Sequence, residues 1–203
     1  MGYLGNDFII SSMVLIIVLF TILYIYRKKV FAFYYVESDF EKFIRLVKEY
    51  LIKNYPKIKF NYNIISQSKN ENNPQARCYE VIDHLVDDFI NSEIDTTVTP
   101  KPVPLKLLWD SYTFDALPVG TKLPKDWAKR KAVAIQRDHN ICQRCGYKTK
   151  PETAHLFLLK SIKQGGQFYL ENMIIICKDC QRVTTKKDLK YLNIKDELTN
   201  FIK

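Results

Sequence analysis

Between Phe8 and Tyr26 the 203-residue sequence has no charged side chain, and Ser11, Ser12 and Thr21 are its only uncharged polar interruptions. No cationic stretch precedes this run, since Asp7 is the sole charged residue before it, and no A-x-A pattern follows it. Both absences argue against a cleaved signal peptide. No internal repeat is visible. The chain is not poor in apolar residues, and a 47% apolar composition excludes a disordered low-complexity chain. Acidic residues are scarce only in the second half: residues 1–100 carry 11 basic against 12 acidic side chains, residues 101–203 carry 20 against 10. This asymmetry points to an anionic partner for the C-terminal half, nucleic acid before anionic lipid.

The apolar run is 19 residues long. At about 1.5 Å per residue a helix of that length covers roughly the 30 Å hydrocarbon core. It has no polar face, and a chain of this size could hardly enclose it as a core helix. The sequence therefore predicts a transmembrane helix over residues 8–26. Arg27, Lys28 and Lys29 follow directly, which predicts a single-pass protein with its N-terminus outside and its C-terminal domain cytoplasmic. The aromatic segment Val30 to Val36 is expected at the membrane interface.

The remaining chain reads as a small α-rich middle region, residues 37–95, a proline-bearing linker, residues 96–104, and a C-terminal domain, residues 105–203. Ser38 and Glu41 have capping-box spacing, and Phe40, Phe43, Ile44, Val47 and Leu51 recur at helical intervals up to Asn54. Lys59 to Ile65 alternates like a strand, and Val81 to Ile90 marks a second helix. His84 among Asp83, Asp87 and Asp88 reads as an exposed acidic face. Pro100, Pro102 and Pro104 stand at alternate positions and favour an extended stretch.

Four of the five cysteines form two pairs, Cys142-x-x-Cys145 and Cys177-x-x-Cys180. Two such knuckles complete the tetrahedral thiolate shell that a structural Zn2+ prefers. The competing pairing as two disulfides is disfavoured in the reducing compartment that the topology predicts. A fully protein-ligated ion has no open position, so this zinc is structural. Cys78 has no partner in the pattern and reads as an inert buried thiol.

Around the knuckles several motifs occur in order. Leu123 to Trp127 leads into a basic helix, Ala128 to Asp138, and the first knuckle is ICQRCG. Ala154-His155, Gly165-Gly166 and Glu171-Asn172 follow, then CKDCQ from Cys177 to Gln181. From Leu123 to Lys187 the sequence resembles the HNH endonuclease family in its four-cysteine zinc form. The resemblance implies an α+β chain whose C-terminal part is a treble-clef, ββα-metal zinc domain. It implies phosphodiester hydrolysis with Mg2+ or Mn2+, His155 as general base, and Asn172 orienting that base or contacting the metal. Two positions depart from the pattern. Ala154 stands where the family usually has a metal-binding Asp or His, and Gln181 where it usually has His or Asn. Gln181 and Glu152, two residues before Ala154, are then candidate replacement contacts to the catalytic metal.

Lys129, Arg130, Lys131 and Arg137 on the leading helix, with Arg182, Lys186, Lys187 and Lys190 beyond the last knuckle, are candidate contacts to a nucleic-acid backbone. The sequence thus predicts a membrane-anchored, cytoplasm-facing HNH-like endonuclease acting on nucleic acid, DNA first. The alternative is a catalytically impaired HNH-fold zinc module that binds nucleic acid or a protein partner at the membrane. A third reading is an adaptor whose basic half touches anionic lipid.

Overall fold

The computed structural model describes residues 3–30, 38–71, 73–95, 100, 102–113 and 123–202. It separates into two units, Met1–Lys42 and Phe43–Lys203. The segment expected at the membrane interface lies, after Val30, outside the described residues, as do residues 96–99 and 101 of the expected linker.

Helix α1 spans Tyr3–Val30. Its stretch Ile10–Arg27 is 18 residues long with mean hydropathy 2.1, and none of it is buried. It is about 27 Å long at 1.5 Å per residue, long and apolar enough to cross a membrane. Thr21 donates its hydroxyl back to the carbonyls of Ile17 and Val18, each at 2.8 Å. It therefore adds no unsatisfied donor to an apolar surface.

Helix α2 (Asp39–Asn54) starts on the expected capping box: Ser38 N–H donates to Glu41 Oε2 and Glu41 N–H to Ser38 Oγ. Its apolar stripe buries Phe43, Ile44, Val47 and Leu51. Lys59 to Ile65 forms no strand. Its backbone bonds to side chains instead, Asn61 N–H to Asp88 Oδ2 and Asn63 N–H to Asn61 Oδ1, before a single helical turn at Ile64–Gln67. With no partner strand beside it among the described residues, alternation alone could not build a sheet. Helix α3 (Pro74–Asn91) is capped by Asn73, carries Pro74 in its first turn, and buries Val81, Ile82, Leu85, Val86 and Phe89. Cys78 is buried on the same face, and burial pushes its thiol pKa up.

The C-terminal part begins with helix α4 (Trp127–Arg137). After the first knuckle, strands β1 (His155–Leu158) and β2 (Met173–Ile176) form an antiparallel ribbon, followed by helix α5 (Lys178–Thr185) and helix α6 (Asn193–Thr199). In register, His155 faces Ile176 and Leu158 faces Met173. Every residue of β2 is buried. Met173 and Ile175 join Val103, Ala134, Ala154 and Leu170 in one core cluster. The chain is thus a helix-rich α+β protein with a two-stranded sheet, one long apolar N-terminal helix and a C-terminal cysteine cluster.

Candidate metal centre and nucleic-acid interface

Two turns converge to make the metal centre. In the first knuckle, Cys142 N–H bonds Tyr147 O and Gly146 N–H bonds Cys142 O, which folds Cys142 and Cys145 onto one side. Cys177 caps α5 and Cys180 sits in its first turn. All four sulfurs lie within 4.8 Å of one another and all four residues are buried. Cys145 and Cys177 Sγ are 3.8 Å apart. That is far beyond a disulfide of about 2.05 Å, and it is the S···S separation of about 3.8 Å that tetrahedral Zn–S bonds of about 2.3 Å impose. The donor set therefore fits a structural Zn2+, which would cross-link the knuckle to α5.

Arg144, inside the first knuckle, surrounds this centre. Its Nη1 donates to Cys180 Sγ at 3.3 Å, while Nη2 donates to the carbonyls of Phe89 and Ser92, the latter at 2.8 Å. One buried guanidinium thus stabilises a thiolate and satisfies orphan carbonyls at the end of α3. Lys57 adds a second tie, its N–H to Cys145 O and its Nζ to Gln143. Sequence reasoning missed Arg144, because nothing in its spacing separates it from the other basic residues of this half.

His155 opens β1 and is half-buried. It lines a cleft of about 270 Å3 together with Trp127, Lys131, Ala154, Gln181 and Thr184. Burial, then the charges of Lys131 and Lys178, hold its imidazole below the usual 6.5. Its neutral form, with a free lone pair, therefore prevails at pH 7.

Asn172 lies elsewhere. It precedes Met173, which itself lies three residue pairs or about 10 Å along the strand from His155, at the opposite end of the ribbon. Its amide is consumed by the loop that joins the strands: Oδ1 accepts from Lys160 N–H at 2.8 Å, and Nδ2 donates to Lys160 O at 2.9 Å and Gln167 O at 2.8 Å. The same crowding explains the glycine pair. Gly165 has φ +80°, and a Cβ on Gly166 would stand 1.9 Å from Lys160 O. The residue expected to orient His155 instead closes the loop behind it.

The two candidate replacements for the missing metal ligand part company. Gln181 is in the cleft beside His155. Glu152 is exposed in the turn before β1, and the strand begins only at His155, so the shared-face relation expected from its two-residue spacing to Ala154 does not exist. Ala154 is fully buried in the core cluster. Among the described residues, the four cysteines alone form a group of three or more His, Cys, Asp or Glu able to hold an ion. A cleft offering one imidazole, one amide and hydroxyls, with two ammonium groups near, does not fit a catalytic Mg2+ or Mn2+, which demands hard anionic oxygens.

The basic residues also divide. Arg130 is 1% exposed: it forks onto Asp126 at 2.9 Å through Nε and Nη2 and donates to the carbonyls of Phe168 and Thr113. Burial alone would raise the Asp126 carboxyl, but this guanidinium holds it below its ordinary value. Arg137 binds Asp138 and the carbonyls of Leu170 and Met173, and Asp138 accepts from Ile175 N–H. These two arginines, expected on the nucleic-acid face, are internal clamps, Arg130 tying α4 to Phe168 and Thr113 and Arg137 tying it to Leu170 and Met173. Arg182 is partly spent on Asp179 and the Tyr191 carbonyl. Lys129, Lys186 and Lys187 remain exposed, and Lys131 reaches the cleft.

A zinc-type knuckle, a two-stranded ribbon and a helix carrying the second cysteine pair define a ββα module. Residues 142–187 match the HNH endonuclease family model. No curated protein and no solved structure matches the chain. The HNH match supports a nuclease or a nucleic-acid-binding zinc module.

Proposed function

We propose that this protein is an HNH-type module that binds the phosphate backbone of nucleic acid, DNA first, and that α1 anchors it in a membrane. Its supporting observation is the cleft at His155, where Lys131 and the nearby Lys178 present positive charge beside the hydrogen-bonding groups of Gln181 and Thr184. Exposed Lys129, Lys186 and Lys187 extend that charge over the surface. Arg27, Lys28 and Lys29 at the end of the apolar stretch favour the orientation with the module in the cytoplasm. Structural Zn2+ on Cys142, Cys145, Cys177 and Cys180 holds the scaffold.

Phosphodiester hydrolysis is the second reading. It is favoured by His155, a neutral imidazole in the cleft able to accept a proton from an attacking water, and opposed by the donor set around it. Full-length zinc-loaded protein in detergent micelles, titrated with labelled DNA and RNA over a range of salt, tests the first reading. Affinity that falls steeply with salt and weakens in Lys131→Ala supports it; no salt-sensitive binding refutes it. Plasmid nicking with Mg2+ or Mn2+ that disappears in His155→Ala establishes the second reading.

A further inference from the structure

The His155 cleft has a neighbour. A second cavity, also about 270 Å3, is lined by residues next in sequence to those of the first: Thr153 precedes Ala154, and Cys177 and Lys178 follow Ile176, the register partner of His155. Tyr147 lines it, backed by Tyr55 in a stacked arrangement with ring centroids 5.4 Å apart and 21° between planes. Lys148, Lys150 and Lys178 line it with exposed side chains. Its carboxylates are already engaged. Asp179 accepts from the N–H groups of Asn193 and Ile194, and Glu197 takes the hydroxyls of Tyr50 and Tyr55. The cavity therefore presents net positive charge and an aromatic wall. Its volume equals that of about nine waters at about 30 Å3 each, room for a planar base.

We propose that this second cavity is a subsite for an unpaired nucleotide of the strand whose phosphate occupies the His155 cleft, so that the module takes single-stranded nucleic acid in preference to duplex. The inference rests on the reading of the His155 cleft as a backbone-binding site. A base can enter a cavity only when it is out of the helical stack, and an aromatic ring there serves any base because every base has a π-face. Lys148 and Lys150 continue the track of positive charge that Lys131 and Lys178 begin, so consecutive phosphates meet cations on both sides of the His155–Ile176 pair. Lys148, Lys150 and Lys178 outnumber the two carboxylates, and Arg182 offsets Asp179 at 3.5 Å, so the cavity stays net positive toward an anionic strand.

The test uses the full-length protein in micelles, with a labelled mixed-sequence DNA oligonucleotide offered single-stranded or as its duplex at matched salt. Zinc content of one per chain reports folding of each variant. The single strand is expected to bind at least about tenfold more tightly. Lys148→Ala/Lys150→Ala, at exposed positions, should weaken single-strand binding and reduce the salt slope by about 1.4, at about 0.7 per lost phosphate contact. Tyr147→Leu should cost at least about fivefold for the single strand. Equal affinity for both forms, or a folded lysine pair variant that binds like wild type, overturns the subsite while leaving backbone binding intact if Lys131→Ala still weakens it. Absence of salt-sensitive binding to either form overturns both.

Discussion

Arg144 stands 3.3 Å from the sulfur of Cys180 with one nitrogen and reaches the carbonyls that end α3 with another. Through it, the metal centre and a helix 52 to 55 residues earlier in the chain share a single buried charge. Arg144→Ala is expected to lower zinc affinity by about 10- to 100-fold, the usual effect of losing an outer hydrogen bond to a metal ligand. It also strands the α3 carbonyls, so the variant should unfold at lower denaturant. Competition with a chromophoric chelator and urea titration measure the two effects.

Zinc removal should propagate along the same link. A four-thiolate site contributes on the order of 10 kcal/mol to folding. Chelation is therefore expected to abolish hydrogen-exchange protection in α3 as well as in α5. Protection retained in α3 after complete zinc loss would show that the helices stand without the knuckle.

Asn172→Ala removes three hydrogen bonds from a residue that is 3% exposed. A stability loss of about 2–4 kcal/mol is expected from the unmet backbone groups of Lys160 and Gln167. Limited proteolysis should then cut between Lys160 and Gly166. In contrast, a variant of full stability that loses nucleic-acid binding would place Asn172 in the interface.

Neighbouring residues on α4 should behave oppositely. Arg130→Ala leaves Asp126 and two carbonyls without their donor and should cost about 3 kcal/mol or more of stability. Lys131→Ala should leave stability within about 0.5 kcal/mol and lower the salt slope of nucleic-acid binding by about one. Thermal melts and salt titrations of the two variants separate the roles.

For His155 the pH dependence has a defined sign. Its imidazole titrates below 6.5 in the folded chain, so the neutral form is favoured by folding. The corresponding stability is present above pH 6.5 and is lost as pH falls through the folded value. An NMR titration should place the His155 midpoint below 6.5, and Lys131→Ala should move it upward. A midpoint at or above 6.5 would remove the argument that this histidine is a free base at pH 7.

Periodic signals were legible without coordinates. The long apolar run, the Ser38–Glu41 cap, the stripes of α2 and α3 and the four-cysteine cluster all depend on short-range spacing, which the sequence displays directly. The strand expected over Lys59 to Ile65 failed because a strand exists only with a partner, and alternation does not reveal one. The Glu152 expectation failed for a related reason: a same-face argument holds only inside a strand, and β1 starts three residues later.

By itself the sequence determined the apolar helix, the excess of basic residues in the C-terminal half and the identity of the cysteine ligands, because each is a property of composition or spacing. Only the tertiary structure decided which basic residues face solvent. Arg130 and Arg137 carry the same charge as Lys129 and Lys131, yet they are buried on carboxylates and carbonyls because α4 turns one face to the ribbon. The structure also decided that Asn172 closes a loop and that Arg144 joins the metal centre to α3. Those roles are set by carbonyls far away in the chain, and no local pattern records where a distant carbonyl will lie.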